Sequence, residues 1–363
     1  MSIAPAKAAQ YMARALRLAE RGRMSTHPNP RVGCVVVRDG EVVGEGWHER
    51  AGEPHAEVHA LRMAGDRARG AELFVTLEPC SHHGRTPPCA DALVAAGVRK
   101  LWVAMVDPNP QVAGQGIARL QAAGIEVDTG LMQAEAQRLN RGFIARMTRQ
   151  RPFVTLKLGV SLDARTAMAS GESQWITSEE ARADAHRLRA EAGAVLTGFA
   201  TVLADNPQLT VRGLAEGIRQ PDRIVLDAQA RVPETSRVWA SGARRYWCVG
   251  RAPARCPEGV EALVVATTED GSLQLSAALH QLAGRGINEV LLECGPRLAG
   301  AFLAQGLVDE LVSYVAPDLL GHEGRPFAYL PGLERLSQRL RWQWQDVRQI
   351  GPDLRLTARP LLS

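Results

Sequence analysis

The chain is poor in aromatic residues, with Phe, Trp and Tyr at 5% of its 363 positions. It has no dense run of Lys or Arg, and a formal net charge of +4 is spread along its whole length. A protein that grips nucleic acid needs a basic stripe, with aromatic platforms between the charges for single strands. Neither is present, so no nucleic-acid partner is expected, while the mild positive balance suits an anionic small molecule. No stretch approaches the length of a membrane span, and the N-terminus lacks the apolar core of a signal peptide. The expectation is a cytoplasmic location with no membrane association. The six cysteines (Cys34, Cys80, Cys89, Cys248, Cys256 and Cys294) lack the spacing of a secreted disulfide framework. They read as a metal-binding pair plus four plain thiols, with Cys34 and Cys294 as small buried hydrophobes. A Gly-x-Gly-x-x-Gly between a first strand and its helix is also missing, which removes the Rossmann fingerprint. There is no internal repeat and no low-complexity segment.

What is there reads as two α/β domains, the natural expectation for this length. Tyr11, Met12, Ala15, Leu16 and Ala19 fall at helical spacing and predict a helix over 6–23. The β-rich run 32–37, the Asp39-Gly40 turn signal and 41–47 predict a hairpin. Pro54 then opens a helix that carries His55 and Glu57 near its N-terminus. Strands at 71–77, 101–106 and 125–127 alternate with helices at 90–96, 116–123 and 132–147. That pattern predicts a three-layer domain over 1–147, followed by a second domain over 148–363 that begins in a polar, basic connector. The second domain has predicted strands at 153–160, 194–197, 223–226, 246–249, 289–293 and 310–316. Its predicted helices span 178–192, 273–283 and 296–305. Residues 201–212 read as a loop, and 342–359 as two edge strands around Gly351-Pro352.

His55-Ala56-Glu57 precedes Glu78-Pro79-Cys80, and Cys89 follows. One imidazole and two thiolates are the ligand set of a catalytic zinc site with an open fourth position. Zinc so bound lowers the pKa of a coordinated water. A carboxylate two residues after the histidine is placed to move protons without binding the metal. Helix N-termini at both ligand segments favour thiolate over thiol. Eight residues separate Cys80 from Cys89, where the general zinc-deaminase signature has two. A structural zinc would take a fourth protein ligand, for which His59, His82 and His83 are available. His59, four residues after His55, reads as a packing residue or a partner of the ligands. His82 and His83 read as facing substrate or solvent.

The run from His55-Ala56-Glu57 to Pro79-Cys80-Ser81-His82-His83-Gly84-Arg85-Thr86-Pro87-Pro88-Cys89 resembles the N-terminal domain of the bifunctional riboflavin-biosynthesis deaminase–reductases. That domain has the cytidine-deaminase-like zinc fold, and the long cysteine spacing is one of its features. His27-Pro28-Asn29-Pro30-Arg31-Val32-Gly33 and Asp107-Pro108-Asn109-Pro110 resemble further segments of the family. The resemblance implies that His55, Cys80 and Cys89 bind zinc and that Glu57 is the proton shuttle. It also implies that the loop 82–86, with Asn29, contacts the pyrimidine and its ribose phosphate.

In the second domain, the residues alone make 293–300 a strand–turn–helix joint whose backbone N–H groups could face a phosphate. Together with 157–167, Ser173-Gln174-Trp175-Ile176-Thr177 and 201–212, it resembles the reductase domain of the same family. That domain is similar to dihydrofolate reductase in fold and uses NADPH. The resemblance implies cofactor contacts from Gly159, Trp175, Thr201, Asp205, Gly295, Pro296, Arg297, Leu298, Ala299, Gly300 and Ala301. It implies substrate contacts from Ser173, Arg189, Leu209, Arg212 and Glu293, with Arg189 and Arg212 as phosphate ligands. Ala164 stands where the family is expected to carry Gly. The implied activity is zinc-dependent deamination of a diaminopyrimidinone ribosyl phosphate, then NADPH-dependent reduction of its ribosyl chain to ribityl. Lys157 and Glu293 are candidates for handling a proton in the second step, and a homo-oligomer, dimer or tetramer, is expected. The alternative is a nucleotide or nucleic-acid base deaminase with an unrelated C-terminal domain.

Overall fold

The computed structural model describes residues 3–81, 88–110, 112–215 and 217–361. The chain divides into two compact units, Met1–Gln150 and Arg151–Ser363.

In the first unit, Pro5 at the first helical turn starts α1 (Pro5–Glu20), which buries Ala8, Tyr11, Met12, Ala15 and Ala19 on one face. The Asp39-Gly40 turn joins β1 (Gly33–Arg38) to β2 (Glu41–Trp47). There follow α2 (Ala56–Ala64), β3 (Glu72–Val75), α3 (Cys89–Ala96), β4 (Lys100–Val103), α4 (Gln115–Ala122), β5 (Glu126–Thr129), α5 (Gln133–Leu139) and α6 (Arg141–Arg149). The sheet order is β2-β1-β3-β4-β5; β1 is antiparallel to both neighbours and the remaining pairs are parallel. Alternating side chains feed two cores. Cys34, Val36, Leu73, Val75 and Leu101 pack with Ala56, Ala60, Leu93 and Leu120, on the face that α2, α3 and α4 cover. Val35, Val37 and Phe74 pack with Met12, Ala15, Ala136 and Phe143, on the face of α1, α5 and α6. A β-carbon on Gly46 would lie 2.4 Å from the Ala56 carbonyl oxygen, so only glycine lets α2 lie this close to β2. One helix was expected over 132–147, and two are found. Asn140 breaks the run because its side chain is bonded to the backbone N–H and C=O of Arg31, whose guanidinium donates to the Leu139 carbonyl.

The second unit contains β6 (Phe153–Ser161), β7 (Arg165–Ala167), α7 (Glu179–Ala192), β8 (Ala194–Gly198), α8 (Phe199–Asp205), β9 (Asp222–Leu226), β10 (Arg245–Val249), β11 (Val260–Val264), α9 (Leu275–Gly284), β12 (Glu289–Leu292), α10 (Pro296–Ala304), β13 (Glu310–Ala316), β14 (Arg325–Pro326), β15 (Trp342–Ile350) and β16 (Asp353–Pro360). Its main sheet has the order β11-β10-β9-β8-β12-β6-β13-β16-β15. The strands from β11 to β13 run parallel; β16 is antiparallel to both β13 and β15. Val154, Leu156, Leu196, Ile224 and Leu292 pack beneath α9 and α10 through Leu279, Leu282, Ala299 and Phe302. The opposite face is covered by α7 and α8. Two expectations change. Residues 201–212 are not all loop, because α8 starts after Gly198 and runs to Asp205. Only β15 of the C-terminal pair is an edge strand, because β16 is bonded on both sides.

In this sheet β8 leads outward to β9 on one side, while its neighbour β12 leads to β13 on the other. A crevice therefore opens at the C-terminal ends of β8 and β12, where open α/β sheets bind their ligands.

Candidate active sites

His55 is the N-cap residue of α2, and Cys89 is the first residue of α3. Cys80 follows β3 and is held by two backbone bonds: the Cys89 N–H donates to its Sγ at 3.3 Å, and the Ala90 N–H to its carbonyl at 3.2 Å. His55 Nδ1 lies 3.2 Å from Cys89 Sγ and 3.6 Å from Cys80 Sγ. All three donor atoms lie within 4.8 Å of one another, and no other set of three His, Cys, Asp or Glu among the described residues does this. Zinc bonds of about 2.0 Å to nitrogen and 2.3 Å to sulfur, at a tetrahedral angle, put two donors about 3.5 Å apart. The three residues therefore fit zinc as they stand. A hydrogen bond from the Cys89 thiol pulls the Cys80 thiol well below its usual pKa and pushes Cys89 up, so the pair ionises as a unit.

Glu57, in the first turn of α2, is buried. Burial pushes its carboxyl up to about 7, against the pull of the His55 charge. That value suits a group that takes and returns protons at neutral pH. His59 lies outside the donor cluster, and its buried Nε2 has no hydrogen-bond partner. The expected loop contacts at 82–86, including His82 and His83, lie outside the described residues.

One residue of this site was missed in the sequence. His48, just beyond β2, sits edge-on to His55 with ring centroids 5.4 Å apart. The Pro54 carbonyl only accepts, so His48 Nδ1 donates to it at 3.2 Å. His48 Nε2 is then an acceptor for the Asn29 amide N–H at 3.0 Å, which ties Asn29 to the metal-binding histidine. A histidine ending a strand carries no pattern that would have found it.

In the second unit, Arg189 at the end of α7 donates from Nε and Nη2 to the two oxygens of Glu293, at 2.6 and 2.9 Å, and from Nη1 to the Thr210 carbonyl at 2.9 Å. Burial alone would raise the Glu293 pKa, but Arg189 and then Lys157 outweigh it and hold it at about 2. Burial lowers the Lys157 pKa, with Glu293 opposing. Burial also lowers His186, whose Nδ1 accepts from the Arg212 N–H at 3.3 Å; the Arg212 side chain is exposed. Gly159 on β6 faces Thr177, so the segment carrying Ser173 and Trp175 lies over the end of β6. Trp175 is exposed and stacks under Arg182.

Thr201 and Asp205 lie on α8, half-buried and exposed respectively. Gly295 caps α10, and the place its β-carbon would take has nothing within 4 Å. Open space before the free N–H groups of a helix start, beside the switch-point crevice, fits a dinucleotide phosphate. Pro296, Arg297, Leu298 and Ala301 are wholly or partly exposed. Three further residues expected at the contacts lie in packed surroundings. Ala299 is fully buried in the core. Gly300 is glycine because the Tyr329 carbonyl oxygen comes within 1.9 Å of where a β-carbon would stand. The Leu209 side chain is also in the core.

A His/Cys/Cys metal centre with a buried glutamate, on a five-stranded α/β sheet, defines a zinc-dependent deaminase of the cytidine-deaminase type. The second unit adds an open, mostly parallel sheet with a crevice at its switch point. Residues 5–105 match the cytidine and deoxycytidylate deaminase zinc-binding region, and residues 152–356 match the RibD C-terminal domain. The riboflavin biosynthesis protein RibD of Escherichia coli K12 is 54% identical over 356 residues, covering 95% of this chain and 97% of its own. That of Haemophilus influenzae is 45% identical, with 96% of each covered. The structure of Acinetobacter baumannii RibD (form 1) superposes with a TM-score of 0.93 at 45% identity, covering 99% of this chain and 100% of that one. A Thermotoga maritima structure, described as a diaminohydroxyphosphoribosylaminopyrimidine deaminase/5-amino-6-(5-phosphoribosylamino)uracil reductase, gives 0.89 at 34% identity, covering 98% and 99%. The chain belongs to the RibD family. It is a bifunctional enzyme of riboflavin biosynthesis, with a zinc deaminase and an NADPH-dependent reductase acting on small molecules. A deaminase with an unrelated C-terminal domain is set aside by the match over 152–356.

Proposed function

We propose that the first unit, over 1–147, hydrolyses the 2-amino group of 2,5-diamino-6-ribosylamino-pyrimidinone 5′-phosphate. The second, over 148–363, then reduces the ribosyl chain of 5-amino-6-(5-phosphoribosylamino)uracil. His55, Cys80 and Cys89 hold the metal. When bound there, zinc supplies a water acidic enough to act as a nucleophile at neutral pH. Glu57 carries the protons: its carboxylate takes one from the attacking water and gives it to the ring nitrogen, then takes the second from the resulting hydroxyl and gives it to the departing amine, so that ammonia leaves and a carbonyl remains. The observation that carries this reading is a buried carboxyl, in the first turn of the helix that His55 caps, beside a three-donor cluster of zinc dimensions. Asn29, held by His48, faces the pyrimidine side.

In the second unit a bound NADPH would supply the hydride for ribose C1′. Arg212, the exposed cation, takes the 5′-phosphate. Arg189 is already paired with Glu293, so the two act as one polar wall, with Ser173 and the Leu209 backbone completing the substrate side. Gly159, Trp175, Thr201, Asp205, Gly295, Pro296, Arg297, Leu298 and Ala301 line the cofactor side. The enzyme works in the cytoplasm as a homo-oligomer; no described helix is long and apolar enough to cross a membrane.

The test is a coupled assay of ammonia release and NADPH oxidation. Glu57→Gln is expected to retain zinc, lose about 100-fold or more of deamination, and oxidise NADPH normally when given the deaminated substrate. A chelator should strip zinc from the wild type, with the same loss of deamination and the same normal NADPH oxidation. Loss of both activities together in either arm would sink the assignment of two independent sites.

A further inference from the structure

The segment that carries Arg212 is held on both of its edges by side chains. His186 and Arg189 stand three residues apart on α7, so they share a face of that helix. Arg189 directs Nε and Nη2 to Glu293, and Nη1 to the Thr210 carbonyl at 2.9 Å. The Arg212 N–H donates to His186 Nδ1 at 3.3 Å. The other edge is bonded to Gln220: the Val211 N–H donates to its Oε1 at 2.8 Å, and its Nε2 donates to the Val211 carbonyl at 3.2 Å. Bonds that alternate between two edges in this way are those of an extended chain. Leu209 and Val211 are buried, so the same alternation turns Thr210 and Arg212 outward, and Arg212 is exposed.

A backbone N–H can only donate, so the bond to Arg212 exists only while His186 Nδ1 carries no proton. The surroundings keep the half-buried ring in that state at neutral pH. Burial lowers its pKa, the guanidinium charges of Arg189 and Arg212 lower it further, and Glu293 and the Thr210 carbonyl oppose them. Glu293 is in turn bound by Arg189 and faced by Lys157. A proton on Nδ1 would set two donors against each other and release the Arg212 backbone. The consequence reaches the ligand through Arg212. A long side chain on a fixed backbone loses less freedom on binding than one on a loose segment, so a hold on the backbone adds to affinity without touching the ligand.

We propose that His186 is a positioning residue: its imidazole fixes the backbone of Arg212 and thereby sets the preference of the reductase for a substrate that carries the 5′-phosphate. This rests on the reading of Arg212 as the phosphate ligand. His186 itself need not meet the substrate. Its part is to accept one N–H, and it plays that part only as the neutral ring.

The experiment uses the full-length enzyme, with His186→Leu, His186→Asn and Arg212→Gln as variants. The KM and kcat of the reductase are measured between pH 5 and pH 8, with the deaminated substrate and with its dephosphorylated form. At pH 8, His186→Leu is expected to raise the KM for the phosphorylated substrate about fivefold, the scale of one neutral hydrogen bond. Its kcat should stay within about twofold, the mark of lost uniform binding, and the dephosphorylated form should be unaffected. His186→Asn should recover most of the loss, because Oδ1 stands where Nδ1 stood and accepts the same N–H. The wild type should approach the Leu variant as pH falls through the His186 pKa, which lies below the ordinary 6.5. The substrate phosphate also titrates, near pH 6; the Asn variant, which cannot titrate at this position, reports that part alone. Wild-type KM should therefore exceed that of the Asn variant at pH 5 and match it within about twofold at pH 8. Ammonia release by the first unit checks that each chain is folded. An unchanged KM in His186→Leu, equal losses for both substrates, or parallel pH profiles for wild type and His186→Asn would overturn the role of His186. An Arg212→Gln variant that keeps the wild-type KM for the phosphorylated substrate would instead sink the phosphate reading on which the proposal rests.

Discussion

Ala164 occupies the left-handed region at φ +61°, where a β-carbon crowds the neighbouring carbonyl at a cost of about 1–2 kcal/mol. This is the position where the sequence suggested Gly was missing, and the backbone has kept the turn. The turn is held elsewhere: the Asp163 carboxylate accepts from the N–H groups of Leu320 and Gly321, at 3.1 and 2.8 Å. Ala164→Gly relieves the crowding and loses part of the gain to unfolded-chain entropy, so the second unit should gain about 0.5–1 kcal/mol. A thermal midpoint that falls would show the strain is absent. Glu293 makes a second residue-scale prediction. Its carboxyl is lowered on folding from 4.5 to about 2. Such a group stabilises the fold above pH 4.5 and loses that contribution as pH falls toward 2. Urea unfolding of wild type and Glu293→Gln should therefore show a stability gap that shrinks between pH 6 and pH 3; a constant gap would remove the pair from the stability of the fold. The resemblance brought Arg189 and Glu293 forward separately. Their pairing could not be read, because nothing local links α7 to the end of β12.

At the scale of elements, the metal loop is fastened by the residue that precedes Pro79. Glu78 is buried, and its two oxygens accept four backbone N–H groups: Asp107 at 3.1 Å and Gly114 at 3.0 Å on Oε2, Gly116 at 3.0 Å and Ile117 at 3.2 Å on Oε1. Gly116 has to be glycine because the Pro79 carbonyl oxygen lies 2.1 Å from its virtual β-carbon. One carboxylate thus ties Asp107, Gly114 and the first turn of α4 to the segment that carries Cys80. Glu78→Gln replaces an acceptor oxygen by a donor against those N–H groups, and zinc should leave the protein at least about tenfold faster, a loss near 1.4 kcal/mol of site preorganisation. Release to a coloured chelator measures it, and an unchanged rate would mean the loop does not support the ligand. The donor set itself was legible because few residue types bind zinc. The clamp was not: a glutamate before Pro-Cys looks like any strand end. The Asn140 break was hidden for a similar reason. The apolar spacing continues through it, and the cause is a residue more than a hundred positions away.

Over the whole molecule, alternation of strands and helices revealed the α/β class, since period and length are local properties. Strand order is not local, and the sequence did not show that β12 slips between β8 and β6. Nor did it show which C-terminal strand is left open. That strand is β15, which among the described residues pairs only with β16 and exposes Trp344 and Val347. Exposed apolar groups along an open edge favour self-association. If that edge joins the subunits, Trp344→Lys should shift the sedimentation of the enzyme toward the monomer; an unshifted oligomer would place the joint elsewhere.

The insertion of β12 also sets the order in which the two activities are born on the ribosome. Phe153, the first residue of β6, must wait for Glu289 before its inner neighbour exists. Pairings that distant close slowly and last. The deaminase sheet uses strands only up to β5, so the metal centre can fold while the hydride site is still an open half-sheet. A stalled or truncated chain would then deaminate without reducing, and the aminouracil would accumulate.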